Sequence, residues 1–332
     1  MSDLTTNLAT YSVVLTYSAM AVYVVAFIAF ALDMAKRAGD VTAAAAGAAD
    51  APRATAAEQT VATVRGGTVV LEKVAAPAKR EGGGGSRFER VGMAMTILAL
   101  VLHVGSIVLR GIAADRVPWG NMFEFSLTGT GLIITIFLLV QLWQNLKFLG
   151  VFITGLTIIL LGIATVNYYV PVVPLQPALQ SYWLVIHVFV AIAGTGFFAL
   201  GAGLAVSQLV QTYRQGRPSG KLRFMETLPD ADRLEVLTYR VILVGFVLWT
   251  FTLIAGAIWA ERAWGRYWGW DTKEVWTFII WVVYAGYIHA RATRGWRGAR
   301  SSWLALIGFA AVMFNFSVVN VFFKGLHSYS GL

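Results

Sequence analysis

Residues 264–276 read Trp-Gly-Arg-Tyr-Trp-Gly-Trp-Asp-Thr-Lys-Glu-Val-Trp, which puts four tryptophans and a tyrosine between two long apolar runs. A pair of tryptophans at headgroup level is expected of any transmembrane helix. This run is denser, is broken by two glycines and carries Asp271, Lys273 and Glu274, a composition suited to holding a flat aromatic ligand. The four histidines are the other chemically informative residues. His187 falls about one turn into an apolar run and His327 just beyond the last one, so both flank the Trp-rich loop at one membrane level. Imidazole is a common axial ligand of haem iron, and two imidazoles complete a six-coordinate iron whose other four ligands are porphyrin nitrogens. Haem fits both features: its π face suits Trp264, Trp268, Trp270 and Trp276, and its anionic propionates suit Arg262, Arg266 and Lys273. Either histidine alone reads as an interfacial or helix-capping residue; as a pair beside this loop they point to iron.

His103 and His289 lie inside apolar runs, where ionisable groups are costly and usually face a protein interior or a pathway. They are candidates for a second, inner haem site, or else packed histidines; His289 lies near the opposite membrane face, whereas His103 is nearer mid-membrane. Trp259 and Trp281 read as ordinary belt or core residues. Asp271 is expected to fix the loop through backbone or Lys273, and Glu274 to cap the helix that follows, where acidic groups are favoured.

The elements that must position these residues are membrane spans. Of the 332 residues, 58% are hydrophobic and 13% charged, and apolar runs near the ~20 residues needed to cross a bilayer recur along the chain. Lipid-exposed backbone must satisfy its own hydrogen bonds, which predicts helices, and the alternation of a membrane barrel is absent. The chain therefore reads as an all-α polytopic membrane protein with about eight spans, near 11–32, 91–113, 122–145, 149–169, 183–211, 237–260, 273–291 and 302–323. Twenty of the 26 Lys and Arg residues fall on one side of these spans. The positive-inside rule then places both termini and the Trp-rich loop outside. This asymmetry also explains the net charge of +9 without a nucleic-acid partner.

Residues 1–34 are read as a lone first transmembrane helix, expected to be retained because no basic stretch precedes it. Residues 35–89, rich in Ala and Gly with a glycine run at 82–85, read as a flexible cytoplasmic linker. Within it, 61–64 and 68–74 flank Arg65-Gly66-Gly67 as a weak hairpin candidate. Residues 90–332 form a seven-helix block with no evident internal repeat. The uncharged loop 167–181, with Pro171, Pro174 and Pro177, reads as a stiff cover over an apolar outer face. The chain has no cysteine, which excludes thiolate metal sites and thiol exchange by the protein itself.

The segment 264–276 resembles the tryptophan-rich WWD signature of the haem-handling proteins of cytochrome c maturation. With His187 and His327 beside it, the layout resembles the CcsA or ResC component of the two-component (System II) cytochrome c synthase. Further matches are Pro118-Trp-Gly-Asn121-Met-Phe-Glu124, Gln180-Ser-Tyr-Trp-Leu-Val-Ile-His187, Tyr287-Ile-His289-Ala-Arg291 and Gly325-Leu-His327-Ser-Tyr329; together they cover 90–332. Thr272 departs from the family, which more often has Pro there. The resemblance implies a subunit of a holocytochrome c synthase that binds haem b, carries it across or receives it in the membrane, and presents it on the WWD face. His187 and His327 would be the external axial ligands, and His289 the intramembrane histidine, with His103 as a candidate mate. Implied partners are a CcsB/ResB-like membrane protein, apocytochrome c with its Cys-x-x-Cys-His motif, and an external thiol-reducing component. The implied location is the bacterial plasma membrane, with a plastid thylakoid membrane as the alternative. Alternatives in function are a System I haem-delivery protein without a ligase role, and a secondary transporter unrelated to haem.

Overall fold

The computed structural model describes residues 3–50, 58–65, 68–75, 86–175, 177–216, 220–293 and 296–327. Eight long helices dominate them: α1 (Asp3–Asp50), α2 (Arg87–Ala114), α3 (Met122–Val140), α4 (Gly150–Asn167), α5 (Tyr182–Gly216), α6 (Ala231–Trp264), α7 (Thr272–Ala292) and α8 (Ala299–Phe314). Seven of these, α8 counted with its extension to Phe322, are long and apolar enough to cross a membrane. The protein is thus an all-α multi-pass membrane protein. The expected eighth span is α7. It has 21 residues, about 31 Å at ~1.5 Å per residue, but its Lys273, Glu274, His289 and Arg291 dilute its hydropathy.

The first helix is not alone. On α1 the buried positions Ser12, Thr16, Ala19, Tyr23, Ala26, Phe30 and Asp33 alternate steps of four and three. On α2 the buried residues Glu89, Gly92, Thr96, Ala99, His103, Ser106 and Arg110 do the same. A 3.5-residue period on both helices is the pattern of a left-handed coiled-coil pair. Ser12 and Thr16 hydrogen-bond Ser106 at the Trp-rich end, and Arg37 bridges Asp33 and Glu89 at the other. Small residues let the backbones approach: a Cβ on Gly92 would lie 2.9 Å from the Phe30 ring. Gly92→Val is therefore expected to loosen this pair, at about 1–3 kcal/mol of overpacking, read as a lowered melting temperature of the purified protein.

Past residue 34, α1 continues to Asp50 through an alanine-rich stretch, alanine being the best helix former. The hairpin candidate is present and longer than expected: β1 (Glu58–Arg65) pairs antiparallel with β2 (Thr68–Ala75), Arg65 opposite Thr68. Gly66 and Gly67, the glycine run at 82–85 and Tyr329 lie outside the described residues.

At the centre, α5 packs against α3, α6 and α8 through a face of Gly and Ala. A Cβ on Gly201 would fall 2.6 Å from Ile242 of α6, so this crossing requires glycine. Phe198 of α5 stacks on Tyr284 of α7 at 3.8 Å between centroids. Around this axis α3, α4, α5, α6, α7 and α8 leave a cavity that opens at the Trp-rich end.

Candidate functional site

Two loops frame the cavity mouth. α6 ends at Gly265, whose φ of 69° is the left-handed conformation that glycine adopts readily at a helix C-terminus. The Trp-rich segment follows, and α7 then starts with a capping box formed by Asp271 and Glu274. The Glu274 carboxylate does more than cap: it accepts the backbone N–H of Gly269 at 2.8 Å and of Asp271 at 3.0 Å, and pairs with Arg266 at 3.3 Å. One carboxylate thus folds the loop over itself. On the other side, Asn121 N-caps α3, and the buried Glu124 pairs with Arg110 and Arg116.

The cavity holds about 1660 Å³ of atom-free space, its open mouth included. His187 and His327 both line it, with Trp119, Trp259, Trp268 and Lys273. The rest of the wall is mostly apolar.

Each of these imidazoles is anchored through Nδ1. The His187 Nδ1 lies 3.0 Å from the Thr252 carbonyl oxygen, which can only accept, so Nδ1 carries the proton and donates. The neutral ring then keeps its Nε2 lone pair. The helix makes room for this contact through Gly256, the residue one turn beyond Thr252, where a Cβ would sit 2.8 Å from Nδ1. His327 Nδ1 lies 2.5 Å from Asp271 Oδ2, again an acceptor, and the backbone N–H of His327 reaches the same oxygen at 3.3 Å. A Cβ on Gly325 would collide with Asp271 Oδ1. A carbonyl or carboxylate holding one ring nitrogen is the arrangement that orients histidines toward a metal through the other. The two rings meet on Trp259, whose centroid is 5.9 Å from that of His187 and 5.5 Å from that of His327.

The hydrogen bond from His327 holds the Asp271 carboxyl below its ordinary 3.8, against the opposing effect of burial. A lowered carboxyl pKa stabilises the contact above the ordinary value, and that stabilisation is lost as the pH falls through the lowered one. At neutral pH the carboxylate is ionised and the tether intact. Asp271→Asn keeps the size and removes the charge. Were haem iron bound by these rings, Asp271→Asn would weaken ferric haem binding by about 10- to 100-fold, the usual cost of losing such a partner, measured by haem titration of the purified protein.

The structure distributes the other expected residues unevenly. Trp268 lines the cavity; Trp264 touches His327 at 4.8 Å and Trp259 at 4.8 Å. Trp270 is 73% exposed, with a left-handed φ of 60°. Trp276 does not line the cavity: it packs on Phe314 of α8 at 4.3 Å. Of the three cations, only Lys273 lines the cavity, its Nζ held by the Asn315 carbonyl at 2.9 Å and the Asn320 side chain at 2.6 Å. Lys273 thus contacts the π-helical turn Asn315–Val319 of α8, a type of irregularity frequent at functional sites. Arg266 is taken up by Glu274, and Arg262 lies beside Glu261 at 3.6 Å.

The inner pair is not assembled. His103 is fully buried at the junction of α1, α2 and α3, with Nε2 at 2.8 Å from the Leu127 carbonyl and Nδ1 at 3.3 Å from the Tyr23 hydroxyl. Both its nitrogens are committed, so it is a packed histidine that ties α1 to the bundle. His289 is exposed on α7 and does not line the cavity. Sequence reasoning missed Trp259 as a site residue. The spacing carried a signal: Trp259 stands seven residues after Thr252 and three after Gly256, on the helix face that receives His187.

Residues 119–327 match the family model described as Cytochrome C assembly protein. The chain belongs to the cytochrome c assembly protein family. Its relatives there include cytochrome c biogenesis protein CcsA of Guillardia theta, 34% identical over 73% of this chain and 86% of that protein. The CcsA of Mesostigma viride is 35% identical over 70% and 82%, and that of Gloeobacter violaceus 29% identical over 73% and 87%. This makes the chain a CcsA-type family member with a role in cytochrome c maturation. Among solved structures, cytochrome c haem lyase CcmF superposes with a TM-score of 0.60 at 16% identity, over 93% of this chain and 46% of that longer one. That likeness speaks for the fold alone.

Proposed function

We propose that the chain binds haem b as a substrate in the outer cavity, with His187 and His327 as the two axial ligands, and presents it for attachment to apocytochrome c. One observation carries this reading: two imidazoles facing one apolar cavity, each with Nδ1 donated to a fixed acceptor and Nε2 left to ligate iron. The cavity fits the group in other respects. Trp119, Trp259 and Trp268 offer aromatic wall, and Lys273 supplies one cation for a propionate. Arg266 serves the loop through Glu274.

The reaction needs no acid or nucleophile from this chain. Each cysteine S–H of a Cys-x-x-Cys-His motif adds across a haem vinyl C=C, sulfur to one carbon and hydrogen to the other, giving a thioether. The chain holds the vinyl edge at the open mouth and sets the iron's ligation through two tethered histidines. With no cysteine of its own, it leaves thiol reduction to a partner. The CcsA-type relatives favour the System II assignment with a CcsB/ResB-like partner over a System I delivery role. We place the chain in the bacterial plasma membrane with the Trp-rich end and both termini external, following the charge asymmetry.

The test is co-expression with a CcsB/ResB-like protein and an apocytochrome in a host without its own maturation machinery. Covalent haem, read as peroxidase activity on denaturing gels, is expected with the complete set and lost when the apocytochrome cysteines are replaced. No attached haem with all three proteins present at normal levels contradicts the proposal.

A further inference from the structure

The two loops at the cavity mouth are built alike, although the sequence shows no evident repeat. Arg116 and Glu124 are eight residues apart and pair at 2.6 Å; Arg266 and Glu274 are eight residues apart and pair at 3.3 Å. In each loop a tryptophan precedes a glycine whose N–H the same glutamate accepts: Gly120 at 3.0 Å and Gly269 at 2.8 Å. In each, the residue three before the glutamate, Asn121 or Asp271, is the N-cap of the next helix. In each, the glycine lies against the arginine side chain, so a Cβ would clash with it. Within the same Arg-to-Glu interval, the Trp-Gly pair of the second loop stands one residue nearer its arginine, and one extra residue follows Gly269. That residue is Trp270, which carries the left-handed φ and points outward.

The likeness extends beyond the loops. In one unit α2 leads to the loop, α3 leaves it, α4 returns to the same end, and His187 follows. In the other α6 leads to the loop, α7 leaves it, α8 returns, and His327 follows. Both units run in the same direction through the membrane, as parallel repeats do, and the cavity lies between them. Trp119 and Trp268, the tryptophans preceding the two glycines, both line it.

We propose that Trp119 is a second wall of the haem platform, positioned by Glu124 and Arg116 as Trp268 is by Glu274 and Arg266. The site is then two copies of one device, each contributing a tryptophan and an axial histidine. This rests on the haem reading of the cavity and goes beyond it by assigning a binding role to a loop outside the WWD segment. It also explains why a buried carboxylate and two arginines are kept at an otherwise apolar end of α3. Arg110 and Arg116 neutralise Glu124, and Glu124 in turn fixes the Gly120 backbone next to Trp119.

The experiment is hemin titration of the purified full-length protein, comparing wild type with Trp119→Leu, Trp119→Phe, Trp268→Leu and His187→Ala. Apoprotein melting is recorded for each. Trp119→Leu is expected to raise the hemin Kd about tenfold, the scale of one aromatic contact with the surface it buries. The absorption maxima stay at the wild-type positions because both histidines remain, and Trp119→Phe recovers most of the affinity. A merely structural Trp119 would lower the melting temperature and leave the Kd near wild type. Wild-type affinity in Trp119→Leu, alongside losses in Trp268→Leu and His187→Ala, overturns the second wall while leaving the haem site standing. A wild-type protein that forms no low-spin hemin complex rejects the haem reading itself. Glu124→Gln tests the positioning step: it should follow Trp119→Leu in Kd, and a wild-type Kd in a folded Glu124→Gln protein removes Glu124 from the scheme.

Discussion

His187→Ala and His327→Ala are each expected to eliminate haem attachment to a co-expressed apocytochrome, with more than about a 100-fold loss, beyond what removal of an outer partner of a metal ligand costs. The loss comes with a change of iron ligation and not with unfolding, since neither ring is a large part of the core. The two variants differ in rescue. His327 sits on the loop after α8 at the mouth, held by Asp271; His187 lies inside, on α5 against α6, held by the Thr252 carbonyl. Free imidazole therefore restores low-spin haem to His327→Ala at lower concentration than to His187→Ala. Checking both needs only absorption spectra of the purified variants across an imidazole series. Equal rescue would show that the two ring positions are equally open to solvent.

Gly256→Val has an effect nearly as large from a residue that touches no ligand. A Cβ at this position would lie 2.7 Å from His187 Cε1 and 2.8 Å from Nδ1. The ring must then leave the Thr252 carbonyl and lose the tautomer and aim that this bond fixes. The variant is expected to show the spectrum of His187→Ala and a similar loss of attached haem, with α6 still formed, because valine costs a helix little beside the displaced ring. Gly286→Ala is the control: no atom lies within 4 Å of its added Cβ. It should keep haem binding and gain up to about 1 kcal/mol in helix stability. A Gly256→Val protein with wild-type spectra would show that the Thr252 contact does not orient His187.

Which parts of this were legible in the sequence follows from the range of the interactions. Composition and apolar run length gave the membrane class and, within a few residues, most of the spans. Glu274 as a helix cap was legible because capping is local, four residues of chain. The coiled-coil pairing of α1 with α2 was present as a 3.5-residue spacing of small and polar residues, but uniform hydrophobicity hides that period from a simple apolar count. His103 read either as an inner ligand or as a packed histidine: an intramembrane histidine is costly, and here the cost is met by Tyr23 and the Leu127 carbonyl, partners 80 and 24 residues away, which the sequence does not bring together. Trp276 looks like the other tryptophans of the loop in sequence, while the helical phase of α7 turns it to Phe314 and away from the cavity. The likeness of the two loops escaped because the Trp-Gly pair is displaced by one residue between the arginine and the glutamate; only the shared hydrogen bonds align them.

The most direct measurement is the electron paramagnetic resonance spectrum of the purified ferric haem protein, wild type against the double variant His187→Ala/His327→Ala. Two tethered imidazoles predict a low-spin signal of bis-histidine type in the wild type and its disappearance in the double variant, with an axial high-spin signal or no haem in its place. A low-spin signal that survives the double variant would mean that the iron takes its ligands elsewhere, and would contradict the placement of haem between His187 and His327.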